Sequence, residues 1–102
     1  MKKIKLLLEY RGFPIWNYDD EEGFIGHYLP EEMEEDKKLE QELNEIQDIF
    51  DELYLDTKTE FDYIGFNSPT KELAFNKRVN MLVETIKSKY SHQFLIIDHL
   101  SI

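Results

Sequence analysis

Residues 39–53 carry the most regular pattern in the chain, and they read LEQELNEIQDIFDEL. Their apolar side chains recur at spacings of four, three, four and three residues: Leu39, Leu43, Ile46, Phe50 and Leu53. This spacing places them on one face of an α-helix and leaves most of the carboxylates on the opposite face. Upstream, Pro30 and four glutamates suit the first turns of a helix, where the positive end of the helix dipole favours anions. The pattern predicts a long helix over about residues 31–55.

A second helix is predicted over residues 69–90. Ser68 suits the N-cap position, and Pro69 suits the first helical position, where a missing N–H group costs nothing. Apolar residues then follow at helical spacing: Phe75, Val79, Leu82, Val83, Ile86 and Tyr90. Lys87 and Lys89 lie near the negative end of this helix, which they help to stabilise.

Extended segments flank the two helices. Alternating apolar and polar residues predict a first strand over residues 4–10, and an apolar run predicts a last strand over residues 93–98. Residues 15–18 and 24–28 are candidates for two short strands on either side of an acidic turn. The segment 56–66 reads as an aromatic-rich connection between the helices.

Each helical stripe has to be buried against another layer of structure. We therefore expect a single α+β domain over residues 1–102, in which two helices pack on one face of a small sheet. This two-layer arrangement contains both the N-terminal and the C-terminal strand in its sheet. The direction and the order of strand pairing stay open at this point.

Acidic residues are concentrated in the middle of the chain. The 102 residues include 22 Asp and Glu against 12 Lys and Arg, which gives a net charge of −10. Residues 19–62 hold 18 of the acids and three Lys, a local net charge of −15. Such a field repels nucleic acid and membrane surfaces, and it speeds encounter with a basic protein. The alternative interpretation is a solvated surface that only keeps the protein soluble.

Neither residue types nor spacings indicate an active site, a metal site or a cofactor site. The chain has no cysteine, which excludes thiolate ligands, Cys nucleophiles and disulfides. An EF-hand loop does not fit the acidic run, because Tyr18 would occupy its first ligand position. The three His residues lack zinc-site spacing, and no Gly-x-Ser-x-Gly turn or phosphate-binding glycine loop occurs. We expect a protein without enzymatic activity, and the lack of a signal-peptide pattern or an apolar spanning run predicts a cytoplasmic location.

A partner-binding surface is the remaining candidate for function. Interface hot spots combine aromatic anchors with charged groups, and the acids at 19–22 are flanked by aromatic residues. Three further acids lie opposite the apolar stripe of the first helix. The predicted partner-binding residues are Tyr18, Asp19, Asp20, Glu21, Glu22, Glu45, Asp48 and Glu52. We expect Tyr18 and Tyr63 to be exposed, and Trp16 and Phe66 to be mainly core residues.

The order of these features resembles a group of small acidic bacterial proteins. Three segments carry the resemblance: Tyr10-Arg11-Gly12-Phe13-Pro14-Ile15-Trp16, Leu29-Pro30-Glu31-Glu32 and Gly65-Phe66-Asn67-Ser68-Pro69. Some proteins of this group look like the immunity proteins of polymorphic-toxin and contact-dependent growth inhibition systems. The resemblance implies a cytoplasmic inhibitor that binds a toxin domain and blocks its active site, and it assigns no binding residue.

The charge of the chain is compatible with such a partner. Toxins that attack nucleic acid need basic clefts, which an acidic inhibitor can occupy by imitating phosphate groups. We therefore expect a protein partner with a basic surface, such as a nuclease toxin domain, and neither nucleic acid nor membrane as a partner. One alternative is a phage-encoded acidic nucleic-acid mimic that inhibits a host DNA-binding or defence protein. A second is a housekeeping domain whose acidity serves only solubility.

Overall fold

The computed structural model describes residues 1–101. Within this range the chain forms six strands and two α-helices, in the order β1 (Lys2–Leu6), β2 (Ile15–Asp19), β3 (Gly23–His27), α1 (Lys37–Asp51), β4 (Tyr54–Asp56), β5 (Phe61–Tyr63), α2 (Pro69–Tyr90) and β6 (Phe94–Asp98). A short 3₁₀ turn, Glu31–Met33, precedes α1.

Four of the strands form one mixed sheet in the order β3-β2-β1-β6. Strand β1 runs antiparallel to β2, with Ile4 opposite Asn17, and parallel to β6, with Ile4 opposite Ile96. The first strand, β1, therefore lies inside the sheet, and the last strand, β6, pairs with it and forms one edge. This arrangement confirms the predicted α+β class and the predicted sheet that contains both terminal strands. Strands β4 and β5 form a separate antiparallel hairpin.

The core lies between one face of the sheet and the two helices. From the sheet, the buried contributors are Ile4, Leu6, Ile15 and Phe94, and they join the apolar stripes of α1 and α2 in a single cluster. Because side chains alternate along a strand, Lys3, Lys5 and Trp16 point to the opposite face, outside the helical layer.

The helix predicted over residues 31–55 begins later than expected. Asp36 is the N-cap of α1, and its side chain accepts a hydrogen bond from the Leu39 amide at 3.2 Å. Pro30 instead begins the 3₁₀ turn, which places Met33 in the core. Burial of this methionine requires the chain to change direction before the helix starts.

The other end of α1 is also shorter than predicted. The Leu53 carbonyl accepts hydrogen bonds from the Ile64 amide at 2.7 Å and the Gly65 amide at 3.1 Å, so the chain has left the helix by this residue. The connection predicted over residues 56–66 contains strand β5 and the last residue of β4.

The second helix spans the predicted residues, and the Ser68 hydroxyl accepts a hydrogen bond from the Lys71 amide at 3.4 Å. The first strand is shorter than the predicted 4–10 and ends at Leu6. Beyond it, the Gly12 amide donates to the Glu9 carbonyl at 2.9 Å, and Arg11 adopts a φ of 57°. This turn brings Arg11 to the C-terminal end of α1.

Candidate functional site

The acidic turn, residues 19–22, connects β2 to β3. The Asp19 carboxylate accepts hydrogen bonds from the amides of Glu21 at 2.7 Å and Glu22 at 3.2 Å, so it organises the turn. Asp20, Glu21 and Glu22 project into solvent. The negative charge of the turn is therefore displayed on a locally ordered backbone.

Tyr18 is less exposed than the sequence suggested. Its ring lies on the sheet face opposite the helices, where the ammonium groups of Lys3 and Lys5 lie 5.0 and 5.2 Å from the ring centre. Phe24 contacts the same ring, with 5.6 Å between the ring centres. Tyr18 is thus half-buried among neighbours of its own chain.

The helix acids, Glu45, Asp48 and Glu52, all lie on exposed positions of α1 or its C-cap. Glu45 pairs with the Arg78 guanidinium of α2 at 2.9 Å, and Arg78 also forms two hydrogen bonds with Glu42, at 2.6 and 2.9 Å. The hydrogen bond with Glu42 is the main cause of a raised pKa of Arg78. The single positive charge of Arg78 is shared between Glu42 and Glu45, so only part of the charge of Glu45 is compensated within the protein, whereas Asp48 and Glu52 face solvent.

The acidic turn and the last two helix acids lie at opposite ends of the domain. Tyr18, next to the turn, is opposite Lys3 at the start of β1. The C-terminal end of α1 lies beyond the other end of β1, where Asp51 accepts a hydrogen bond from the Arg11 amide at 2.8 Å. The structure thus places the acidic turn and the last two helix acids in two separate groups.

The acidic turn forms one wall of a cleft of about 610 Å³. Its acidic lining consists of Asp19, Asp20, Glu21, Glu31 and Glu32, and apolar surface comes from Ile25 and Tyr28. Lys2 enters the same region and pairs with Glu32 at 2.9 Å. This hydrogen bond is the main cause of a lowered pKa of Glu32.

A cluster of four aromatic rings, two half-buried and two exposed, lies near the C-terminal end of α1 and was not predicted from the sequence. We call it the hairpin patch, and it consists of Tyr10, Tyr54, Phe61 and Tyr63. Tyr54 stacks on Phe61 with the ring centres 5.5 Å apart and lies 5.2 Å from Tyr63. Tyr10 contacts both Tyr54, at 4.9 Å, and Phe61, at 5.1 Å. Phe61 remains 60% exposed and Tyr63 58% exposed.

Polar contacts hold the inner edge of the hairpin patch. The Tyr10 hydroxyl donates to the Asp56 carboxylate at 3.0 Å. Arg11 pairs with the same carboxylate at 3.4 Å, and its guanidinium lies 5.4 Å from the centre of the Tyr10 ring. The rings are therefore positioned before any partner binds.

A groove of about 490 Å³ lies beside the hairpin, between the two helices. Leu53, Phe66 and Phe75 contribute its apolar surface, and Glu52 and Lys71 contribute charged groups. Phe66 is half-buried against Phe75, with ring centres 5.3 Å apart, so it belongs to the edge of the core. One of the helix acids, Glu52, thus lies at the same end of the domain as the hairpin patch.

A signal for the hairpin patch is present in the sequence. Phe61 and Tyr63 alternate with Asp62, which is the period-two pattern of a strand. The pattern covers only three residues, and the strand partner, Tyr54–Asp56, directly follows the long helical stripe. Neither segment is long enough to be recognised as a strand without its neighbour.

The described residues 1–101 contain no group of three or more His, Asp or Glu side chains placed to hold a metal ion. Their helices include none that is long and apolar enough to cross a membrane.

Comparison with known proteins gives one family. A family model described as Serratia CdiI immunity protein-like matches residues 2–97, which are 96 of the 102 residues of the chain. The match includes every strand and helix of the fold except the last residue of β6. No curated protein matches the chain. The family match confirms the resemblance that the sequence analysis drew from the three segments at residues 10–16, 29–32 and 65–69.

Proposed function

The chain belongs to the Serratia CdiI immunity protein-like family, and from this premise we propose that it neutralises a cognate toxin domain by binding it. The family match over residues 2–97 is the observation that carries this proposal. The proposed partner is a toxin domain with a basic surface, such as a nuclease. In this role the protein acts in the cytoplasm as a stoichiometric inhibitor and converts no substrate itself.

The exposed helix acids are the proposed contact with the basic surface. Asp48 and Glu52 are solvent-exposed carboxylates four residues apart, one helical turn, and they project from one end of α1. A nuclease cleft that binds phosphate groups can accept carboxylates in their place. Binding there covers the cleft and prevents access of the nucleic acid.

We propose a different role for the acidic turn. It lies at the opposite end of the domain, so the acids that project from it, Asp20, Glu21 and Glu22, contribute mainly to the long-range field. Such a field increases the association rate and is screened over about 10 Å at 0.1 M salt. Tyr18 and Asp19 hold the turn in place, and Glu45 contributes less than Asp48 because Arg78 compensates part of its charge.

Titration calorimetry against a toxin domain taken from the genes that neighbour the gene for this chain tests the proposal. We expect Asp48→Lys with Glu52→Lys to weaken binding about 30-fold or more, because a charge pair desolvated at an interface contributes about 2–5 kcal/mol. The matched control, Glu72→Lys with Glu84→Lys, makes the same charge change at exposed positions of α2. We expect this control to weaken binding only a few-fold, and mainly at low salt.

Two outcomes would contradict the proposal. If wild-type protein does not bind or inhibit this toxin domain, the proposed function fails. Binding of both double variants with the wild-type affinity and salt dependence would place the contact elsewhere. Circular dichroism of each variant serves as the folding control.

A further inference from the structure

We propose that the hairpin patch is the aromatic anchor of the toxin interface and that it receives an arginine side chain of the toxin domain. The inference rests on the proposed function and specifies one chemical contact of that interface. The two outer rings of the patch, Phe61 and Tyr63, are each more than half exposed.

Exposure of these two apolar rings to water is unfavourable, and the packing of the core does not require it. Neither belongs to the hydrophobic core or to the residues packed against it. Contiguous exposed apolar surface is uncommon on a monomer and marks interaction sites. Ile64, next to Tyr63, is also 59% exposed and extends the apolar surface toward the groove beside α2.

The patch is ordered before binding. Phe61 stacks on Tyr54, Tyr63 lies against Tyr54, and Tyr10 holds both Tyr54 and Phe61 from the inner side. A partner that contacts Phe61 and Tyr63 therefore finds rings whose conformational freedom is already reduced. Preorganised aromatic side chains of this kind are typical binding hot spots.

The charge around the rings selects a cation. Residues 54–63 contain three carboxylates, Asp56, Glu60 and Asp62, and one basic residue, Lys58, while Arg11 at the inner edge of the patch pairs with Asp56. The nearby Glu52 adds a further exposed acid at this end of the domain. A cation over the ring faces lies in a negative field and gains attraction from the rings themselves.

Arginine fits this environment better than lysine. A guanidinium group is planar and weakly hydrated, so it can stack on a ring while its N–H groups reach a carboxylate. The protein already contains one such arrangement, because Arg11 lies over the Tyr10 ring while it pairs with Asp56. The outer rings, which are more than half exposed, offer a second guanidinium free ring surface within the same acidic segment.

Binding kinetics with the same toxin domain test the inference. We expect Phe61→Ala with Tyr63→Ala to increase the dissociation rate about 30-fold or more, with little change in the salt dependence of association. The matched control is Leu73→Ala with Met81→Ala, which removes apolar side chains that are 68% and 70% exposed on α2. This control should dissociate within twofold of wild type, and Phe61→Tyr, which keeps the ring, should do the same.

A dissociation rate of the Phe61→Ala, Tyr63→Ala variant within threefold of wild type overturns the inference and leaves the proposed function intact. If wild-type protein does not bind the toxin domain, the proposed function is overturned instead. The patch is then tested with blocked tetra-arginine and tetra-lysine peptides, by NMR of the Phe61 and Tyr63 rings. Larger ring shifts with the arginine peptide support the guanidinium contact, and equal or absent shifts refute it.

Discussion

Replacement of Asp36 tests how the two helices are held together at one end of the domain. One oxygen of its carboxylate caps α1 by accepting a hydrogen bond from the Leu39 amide at 3.2 Å. The other oxygen is 3.1 Å from the Lys89 ammonium and 3.2 Å from the Tyr90 hydroxyl, both in the last turn of α2. Asp36→Ala removes all three interactions, whereas Asp36→Asn keeps an oxygen that can cap the helix.

The expected loss of stability follows from these contacts. An N-cap contributes about 1 kcal/mol, and the hydrogen bond with the buried Tyr90 contributes about as much. Lys89 is half exposed, so solvent screening limits its pair with Asp36 to less than about 0.5 kcal/mol. Asp36→Ala should therefore lower the free energy of unfolding by about 2 kcal/mol and Tm by about 8–16 °C. Asp36→Asn should lose about 0.5–1 kcal/mol, because it keeps the cap but loses the ion pair with Lys89 and the oxygen that accepts the hydrogen bond from Tyr90.

The effect of Asp36→Asn should depend on pH. Burial favours a higher pKa for Asp36, but hydrogen bonds from Lys89 and the Leu39 amide outweigh it and lower the pKa below its usual value. A carboxyl group whose pKa is lower in the folded state than in the unfolded state stabilises the folded state at pH values above its pKa in the unfolded state. This contribution is lost as pH falls through the folded pKa. The stability gap between wild type and Asp36→Asn should thus be constant near pH 7 and close below about pH 4.

Urea unfolding followed by circular dichroism measures these differences at several pH values. Equal destabilisation by Asp36→Ala and Asp36→Asn at pH 7 would refute the capping role. If the stability difference between wild type and Asp36→Asn is the same at pH 3 as at pH 7, the contribution of the charge is refuted.

Three further stability predictions can be checked by the same urea titrations. Leu43→Ala removes a fully buried side chain between the layers and should cost about 2–5 kcal/mol; a loss below 1 kcal/mol would contradict this packing. Arg78→Ala breaks the bridge between the helices and should cost about 1 kcal/mol, against less than 0.5 kcal/mol for the exposed Lys77→Ala. Gly26→Ala should lower the free energy of unfolding more than Gly23→Ala. Both glycines have a positive φ, but only at Gly26 would an added Cβ atom meet an aromatic ring, that of Tyr28, at 2.9 Å. Equal effects of the two glycine variants would argue against this close approach.

The helices could be predicted because their signals are local. The stripe from Leu39 to Leu53 repeats with the helical period, and Ser68 with Pro69 defines a start within two residues. The start of α1 could not be predicted, since Pro30 and Asp36 are both good first residues for a helix. The choice between them depends on burial of Met33, which is a tertiary contact.

The candidate site was predictable only in part. Helical geometry places Asp48 and Glu52 on an exposed surface, and the turn residues are exposed as a charged run suggests. Their separation depends on the order of the strands in the sheet, which no local pattern encodes. The hairpin patch depends on Tyr10, which reaches Phe61 across 51 residues of sequence.

The parallel pairing of β1 with β6 has a consequence for the kinetics of folding. Ile4 lies opposite Ile96, so this contact closes a loop of about 90 residues, at an entropic cost of about 4 kcal/mol. The β2–β3 hairpin and the two helices rely on contacts close in sequence and can form early. The pairing of the terminal strands is therefore expected to limit the folding rate. Until β6 arrives, β1 has only one hydrogen-bonding neighbour, and its other edge is open to pairing with a second chain.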